Sequence, residues 1–226
     1  PGSPSIGTVE VDAQEWRAAA GDVAAAGGQL LALWTTLEHD SEVHATVRAA
    51  LLADSQVLVL ALRMPAATDS YPGLQDFFPA ATRMQRAAFD LTGVPSDDPD
   101  RRPWLRHAAW RHDQYPLCHP LPTAADAPIA VDDYAFVRVD GEGVHEIPVG
   151  PVHAGIIEPG HFRFSIVGEK VLKLEERLGY VHKGIERRFT ELPILEGHRL
   201  AARVSGDSGV AFSWASCVAL ERMSGA

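Results

Sequence analysis

Two histidines and a carboxylate lie close together in the second half of the chain. His153, Glu158 and His161 fall within nine residues, and imidazole and carboxylate groups are both permissible zinc ligands. No fourth ligand is evident, and two glycines and a proline interrupt the loop, so the sequence predicts no metal here. A histidine in such a loop can instead donate a hydrogen bond to a ligand oxygen and deliver a proton near neutral pH. A solvated loop histidine is the alternative.

Glu186 is a second candidate for proton chemistry. It follows Lys183-Gly184-Ile185 in a stretch that we expect to be helical. A carboxylate that is partly buried on a helix can exchange protons near neutral pH, because burial disfavours its charged form. The alternative is an ordinary helix glutamate paired with Lys183, Arg187 or Arg188.

Ser205 and Ser208 carry hydroxyl groups, but neither lies in the Gly-x-Ser-x-Gly turn of a hydrolase. The run Ser-Gly-Asp-Ser is more typical of a turn or a helix cap. The chain also contains neither G-x-G-x-x-G nor G-x-x-x-x-G-K-[ST], so the sequence predicts no phosphate cradle for NAD or ATP.

Composition narrows the range of partners. The formal net charge is -10, which argues against nucleic acid, since neutralising phosphates requires clustered Lys and Arg. No apolar run approaches the length that spans a bilayer, and the first residues do not have the pattern of a signal peptide. Cys118 and Cys217 lie far apart and predict no disulfide framework. We therefore expect a cytoplasmic protein.

The first part of the chain has the pattern of a mixed α and β domain. The predicted helices are residues 12–26 and 78–91, and the predicted strands are residues 29–37 and 56–62. The second strand is apolar on both faces, as a strand covered on both sides would be. Leu51 and Leu52 end either another strand or a helix. Gly93 ends the second helix.

The composition changes after residue 95. Prolines at 99, 103, 116, 120, 122 and 128 predict an extended segment. We place the domain boundary near residue 125, which gives domains 1–125 and 126–226. In the second domain we predict strands at 134–139 and 162–167, then helices, one starting at Pro193 and the last one capped by Asp207. The last helix places Val210, Trp214, Cys217 and Val218 along one side, which predicts a core position for Cys217.

Two stretches of the chain resemble known proteins. The first is the helix that ends in Asp90-Leu91-Thr92-Gly93 and is followed by Asp100-Arg101-Arg102-Pro103-Trp104. It resembles the end of the C-type subunit of NADH–quinone oxidoreductase. The His-Pro-Leu-Arg-Lys-like run of that family is reduced here to Tyr115-Pro116-Leu117-Cys118-His119-Pro120-Leu121.

The second stretch resembles the start of the D-type subunit of the same enzyme and of its relative, the nickel–iron hydrogenase large subunit. It comprises Gly150-Pro151-Val152-His153, Glu158-Pro159-Gly160-His161-Phe162-Arg163-Phe164 and Gly179-Tyr180-Val181-His182-Lys183-Gly184-Ile185-Glu186. A C-type part followed by a D-type part in one chain is the order of the hydrogenase-4 and formate-hydrogenlyase large subunits. The chain is therefore similar to the N-terminal portion of such a fusion.

The resemblance implies that a metal site has been lost. Hydrogenase members continue with Arg-x-Cys-x-x-Cys, whose thiolates hold half of the nickel–iron centre. The corresponding run here is Arg203-Val204-Ser205-Gly206-Asp207-Ser208. A protonated hydroxyl is a much weaker donor to nickel than a thiolate. Ser205 and Ser208 are therefore degenerate ligand positions, and no nickel–iron centre is expected.

The resemblance also implies roles for the other candidates. It makes Glu186 a proton relay, and it places the loop with His153, Glu158, His161 and Arg163 in a quinone-headgroup cavity. The implied fold class is α+β: an α/β domain like the C-type subunit of complex I, an extended linker, and then the small sheet and first helices of a large-subunit-like domain.

The implied function is that of a cytoplasmic, peripheral-arm subunit of a membrane-bound, energy-converting oxidoreductase. Such a subunit would contribute to a quinone-type cavity and to proton coupling, with quinone as a candidate ligand. It would hold no cofactor itself, because the iron–sulfur clusters and any NADH oxidation would belong to partner subunits. It would contact the iron–sulfur subunit and other peripheral-arm subunits, and the membrane arm indirectly. An architectural docking subunit without a catalytic or ligand site is the alternative.

Overall fold

A computed structural model describes residues 6–39, 43–64, 70–106, 110, 114–118 and 135–225. It divides the chain into two compact units, residues 1–130 and 131–226, and each unit contains one sheet. The domain boundary that we expected near residue 125 lies outside the described residues and stays a prediction.

The first unit contains a four-stranded sheet. Its strands are β1 (Ile6–Val11), β2 (Gln29–His39), β3 (Val43–Ala53) and β4 (Gln56–Met64), in the order β1-β4-β3-β2. β1 is parallel to β4 and the other pairs are antiparallel. β4 is a central strand, which accounts for its continuous apolar run. Both predicted strands are confirmed, and Leu51 and Leu52 belong to β3 rather than to a helix.

Two helices pack on this sheet, α1 (Ala13–Ala25) and α2 (Ala81–Thr92), and both were predicted. Asp12 caps α1, because its carboxylate accepts hydrogen bonds from the backbone N–H groups of Gln14 and Glu15, both at 2.8 Å. Trp16 is fully buried in the core, and its indole N–H donates to the Pro72 carbonyl at 2.8 Å. α2 begins at Ala81, later than predicted, because the preceding residues form turns onto the Leu74 carbonyl.

The extended segment after α2 is held by a buried carboxylate. Asp90 is only 2% exposed, although the helical pattern placed it between the apolar positions. Its Oδ2 atom accepts hydrogen bonds from the backbone N–H groups of Trp104, Leu105 and Arg106 at 2.8, 2.7 and 3.2 Å. The described part of the segment forms no helix and no strand, apart from an isolated bridge at Ser96, as its prolines predicted.

The second unit contains an antiparallel meander of β5 (Val144–Val149), β6 (His161–Val167) and β7 (Lys170–Arg177). The predicted strand at 162–167 is confirmed as β6. The strand predicted at 134–139 is wrong for residues 135–139, which take no part in the sheet. The N–H of Val137 donates to the Glu175 carboxylate instead of a strand carbonyl, so a side chain takes the place of a ladder partner.

Short helices follow the meander: α3 (Ile185–Phe189), a 3₁₀ turn (Ile194–Glu196), α4 (Gly197–Ala201) and α5 (Gly209–Ser224). Pro193 precedes the 3₁₀ turn, as predicted, but the cap residue of α5 is Ser208 and not Asp207. The core position predicted for Cys217 is wrong. Val210 and Trp214, which share its side of α5, are 84% and 70% exposed, because no described element covers them.

The fold is thus of the mixed α+β class, with two sheets and few helices. None of the helices in the described ranges combines the length and the apolar character needed to cross a bilayer.

Candidate functional site

The first candidate histidine, His153, lies in the loop between β5 and β6, and the second, His161, is the first residue of β6; each is hydrogen-bonded to a carbonyl across the base of this loop. His153 Nε2 lies 2.8 Å from the Gly160 carbonyl oxygen, and His161 Nδ1 lies 3.3 Å from the Gly150 carbonyl oxygen. Since a carbonyl only accepts, each of these ring nitrogens carries a proton. In the neutral form, the other nitrogen of each ring is therefore an acceptor. The two rings have different neighbours: His153 lies 6.0 Å from the Phe162 ring, whereas His161 lies against Phe136.

Glu158 does not join the histidines. It is exposed in the same loop, and no hydrogen bond ties it to either ring. Within the described ranges, no group of three or more His, Cys, Asp or Glu side chains is arranged to hold a metal ion. The zinc alternative therefore gains no support from the geometry.

Arg163 is engaged by an aromatic ring. Its guanidinium carbon lies 4.2 Å from the centre of the Phe136 ring, and that of Arg177 lies 4.6 Å from the same centre. The His161 ring meets Phe136 edge-on at 5.5 Å. These cation–π and aromatic contacts fasten the segment before β5 to the sheet. Arg163 thus contributes to the shape of the site beside His161.

Glu175 is a site residue that the motifs did not reveal. It is 7% exposed and lies opposite Arg163 across β6 and β7. Its carboxylate accepts the Val137 N–H at 3.2 and 3.1 Å and lies 3.4 Å from the Lys173 ammonium. The sequence offers Glu175 and Glu176 side by side, and strand alternation alone does not show which one faces inwards.

The Lys-Gly-x-Glu motif and the serine run are in direct contact. The Lys183 ammonium donates a hydrogen bond to the Val204 carbonyl at 3.1 Å. This bond holds the start of α3 beside the turn that contains Ser205 and Ser208, both of which are half-buried. Lys183 of the first motif therefore contacts the residue that precedes Ser205 of the second.

Glu186 lies in the first turn of α3 and is exposed. It makes no ion pair with Lys183, Arg187 or Arg188; Arg187 pairs instead with Glu191 at 2.9 Å. The partial burial that would favour a proton relay is therefore absent within the described chain. The salt bridge that an ordinary helix glutamate would form is also absent among the described residues.

The donor set at the serine run does not fit a nickel–iron centre. Ser205 and Ser208 offer two hydroxyl oxygens where the resemblance calls for two thiolates. Ser208 serves as the cap residue of α5, with its carbonyl accepting the Phe212 N–H at 2.9 Å. Cys217, the thiol on α5, is half-buried on that helix.

A cavity of about 610 Å³ lies between α3 and α4. Its lining residues are Lys183, Ile185, Arg188, Leu192, Glu196, Arg199, Leu200 and Arg203. Neither loop histidine lines it, and neither does Glu186. The cavity is therefore lined by Lys183 of the motif but by none of the residues predicted to carry protons.

Comparison with known proteins bears on the first unit. Residues 9–127 match the family described as respiratory-chain NADH dehydrogenase, 30 Kd subunit. This match covers more than half of the chain. The chain belongs to that family.

Longer similarities extend beyond the first unit. Hydrogenase-4 component G of Escherichia coli (strain K12) is 31% identical over 178 residues, which cover 74% of this chain and 31% of the relative. Formate hydrogenlyase subunit 5 of the same organism is 32% identical over 161 residues, or 69% of this chain and 28% of the relative. The C/D fusion subunit of NADH-quinone oxidoreductase from Phocaeicola vulgatus is 25% identical over 171 residues, or 68% of this chain and 33% of the relative.

These comparisons confirm the resemblance at the level of the family. The relatives are subunits of hydrogenase-4, formate hydrogenlyase and NADH–quinone oxidoreductase. The chain spans about a third of the length of these relatives. The roles assigned to individual site residues stay predictions.

Proposed function

We propose that the chain is a peripheral-arm subunit of a membrane-bound, energy-converting oxidoreductase. In that complex it contributes to a quinone-type cavity and to proton coupling without holding a nickel–iron centre. The observation that carries this proposal is the Lys183–Val204 hydrogen bond. It holds the Lys-Gly-x-Glu motif of the hydrogenase relatives against a turn in which oxygens occupy the expected positions of sulfur.

The sheet of the second unit supports the proposal with an apolar face. Strand register places Ile147, Phe164 and Leu174 in one row and Val149 beside Phe162. Ile147, Val149 and Leu174 are 43%, 36% and 46% exposed. An exposed apolar face of this kind is typical of a surface that binds another protein. We assign it to the iron–sulfur subunit, which would hold the clusters.

A hydrogen bond from His153 or His161 to a quinone oxygen would need a second N–H on the ring. Because His153 and His161 each donate one N–H to a backbone carbonyl, only a protonated ring has a second N–H for a quinone oxygen. An imidazolium that donates this hydrogen bond can then transfer its proton and return to the neutral ring. Proton delivery thus requires no change in the loop contacts. Glu186 would supply protons to this site once another subunit covers it.

The architectural alternative is favoured by a specific observation. Glu186 is exposed and unpaired in the described chain, and the cavity beside Lys183 includes neither Glu186 nor the histidines. A docking subunit without a ligand site would show such a scattered arrangement. The two functions predict different consequences for the same substitution.

The deciding experiment is Glu186→Gln in the intact complex, with proton translocation measured during electron transfer. Glu169→Gln, in the exposed turn between β6 and β7, is the matched control. If Glu186 relays protons, its variant loses coupled turnover by at least about tenfold while the complex still assembles, since a positioned proton carrier contributes roughly a hundredfold. The control keeps its activity. Equal, near-normal turnover of both variants would favour the architectural alternative.

A further inference from the structure

The cavity between α3 and α4 has an unusual charge. Four of its lining residues are cations, namely Lys183, Arg188, Arg199 and Arg203, and one, Glu196, is an anion. The whole chain has 20 Lys and Arg residues against 30 Asp and Glu residues. The cavity therefore has more cations than anions, whereas the whole chain has more anions than cations. Such a surplus attracts a negatively charged ligand.

Two of the four cations are available for a ligand. Arg199 pairs with Glu196 at 2.9 Å, and the Lys183 ammonium donates to the Val204 carbonyl. The guanidinium groups of Arg188 and Arg203 form no hydrogen bond or ion pair with any residue that the structure describes. A guanidinium presents its N–H groups as a planar fork that matches two phosphate oxygens.

The same cavity also offers apolar surface. Leu200 is 7% exposed, Ile185 is half-buried and Leu192 is 39% exposed. A ligand that is only an anion would leave this surface unused, whereas a ligand with a hydrocarbon part would cover it. The cavity volume of about 610 Å³ lies within the range of small-molecule sites, roughly 300–1,000 Å³.

We propose that this cavity binds an amphipathic phosphate, with the phosphate between Arg188 and Arg203 and the hydrocarbon part against Leu192 and Leu200. The phosphate could belong to a small phosphate ester in solution or to the headgroup of an acidic phospholipid, and both present the same chemistry. This inference goes beyond the proposed function. Binding to the purified protein can be measured without turnover, so the two proposals can fail separately.

Titration calorimetry of the purified protein tests the proposal with three probes: octyl phosphate below its micellar concentration, inorganic phosphate, and the uncharged octyl glucoside. We expect octyl phosphate to bind about tenfold more tightly than inorganic phosphate, and octyl glucoside not to bind. Equal binding of octyl phosphate and octyl glucoside, or of octyl phosphate and inorganic phosphate, would overturn the proposal.

Removing a cation and removing an anion from the cavity should change binding in opposite directions, which locates the site. Arg188→Gln and Arg203→Gln should each weaken octyl phosphate binding about fivefold to tenfold, because each removes a charged donor. Glu196→Gln should tighten it about twofold to fivefold, since it removes a like charge and releases Arg199. A variant that fails to fold cannot gain affinity, so this gain separates the proposal from simple damage. Arg222→Gln, at the exposed end of α5, is the matched control and should leave binding unchanged.

Vesicle binding distinguishes the two sources of the phosphate. Co-sedimentation with phosphatidylglycerol–phosphatidylcholine vesicles that is lost in Arg188→Gln and Arg203→Gln supports a lipid headgroup. Octyl phosphate binding without vesicle binding supports a free phosphate ester. If Arg188→Gln, Arg203→Gln and Glu196→Gln all bind octyl phosphate like the unaltered protein, the cavity is not its site.

Discussion

At the scale of single residues, each unit contains a buried carboxylate. Backbone N–H groups donate hydrogen bonds to it in place of the water that burial removes. Asp90 accepts three backbone N–H groups in the first unit, and Glu175 accepts the Val137 N–H in the second. The side chain of Arg106, which is 6% exposed, adds an ion pair at 3.6 Å to Asp90. A charge buried in this way is stable only as long as its partners remain.

We expect Asp90→Ala to lower the free energy of unfolding by about 3–5 kcal/mol, because it removes the buried acceptor of three backbone N–H groups and one side of the ion pair with Arg106. The measurement is urea denaturation. Asp76→Ala is the control, since Asp76 pairs with Arg17 at the surface and should lose less than about 1 kcal/mol. Equal, small losses in both variants would show that Asp90 does not anchor the extended segment.

The sequence could predict the candidate residues but not their burial. The spacing of His153 and His161, with seven residues between them, was enough to place both at the β5–β6 connection, although His161 is the first residue of β6. Whether Glu186 is covered, or whether Glu175 rather than Glu176 faces inwards, depends on contacts with distant segments. The pattern of apolar and polar residues within one segment does not reveal those contacts. The same limit explains why the helical pattern did not show that Asp90 is buried.

At the scale of elements, strong local signals were reliable. The start predicted for α1 and the glycine after α2 agree with the observed helix ends to within a residue, whereas the cap predicted for α5 was one residue off. β1 was missed because β4, the strand that it pairs with among the described residues, lies some fifty residues away in sequence. β5 was missed because His145, Glu146 and Pro148 interrupt its apolar pattern. Residues 135–139 alternate like a strand, but the N–H of Val137 donates to the Glu175 side chain and not to a neighbouring strand. The alternation of apolar and polar residues cannot show this.

The end of α2 offers a second stability prediction. Gly93 has a left-handed φ of 77°, and a Cβ there would lie 2.9 Å from Tyr115 Cε2. Gly93→Ala should therefore lower the free energy of unfolding by about 1–2 kcal/mol from backbone conformation alone, with the Tyr115 contact adding to the loss. Gly7→Ala is the control, because nothing lies within 4 Å of a Cβ at that position. If both variants unfold at the same denaturant concentration, the cap does not depend on glycine.

At the scale of the whole molecule, the two units contribute different kinds of information. The first unit establishes the family, since the family match at residues 9–127 covers nearly all of it. The second unit carries the candidate site and an apolar sheet face that no described element covers. The sequence suggested a partner but not this face, because the strands had to be paired before their shared apolar row was visible.

Leu174→Lys should disrupt assembly with the iron–sulfur partner that we propose, without unfolding the protein. Leu174 is 46% exposed in the apolar row, so a charge there meets water in the free chain but would be buried against a partner. Leu195→Lys is the matched control, at a leucine that is 75% exposed in the 3₁₀ turn. Co-purification of the complex from each variant is the measurement. Normal assembly of Leu174→Lys would exclude this face as the interface.

Nickel content is the most direct test of whether oxygens at positions 205 and 208 have replaced a metal-binding pair of thiolates. Elemental analysis of the intact, purified complex should find far less than one nickel per chain, and added nickel during growth should not raise it. About one nickel per chain, lost in a Ser205→Ala, Ser208→Ala double variant, would contradict the proposed function at its centre.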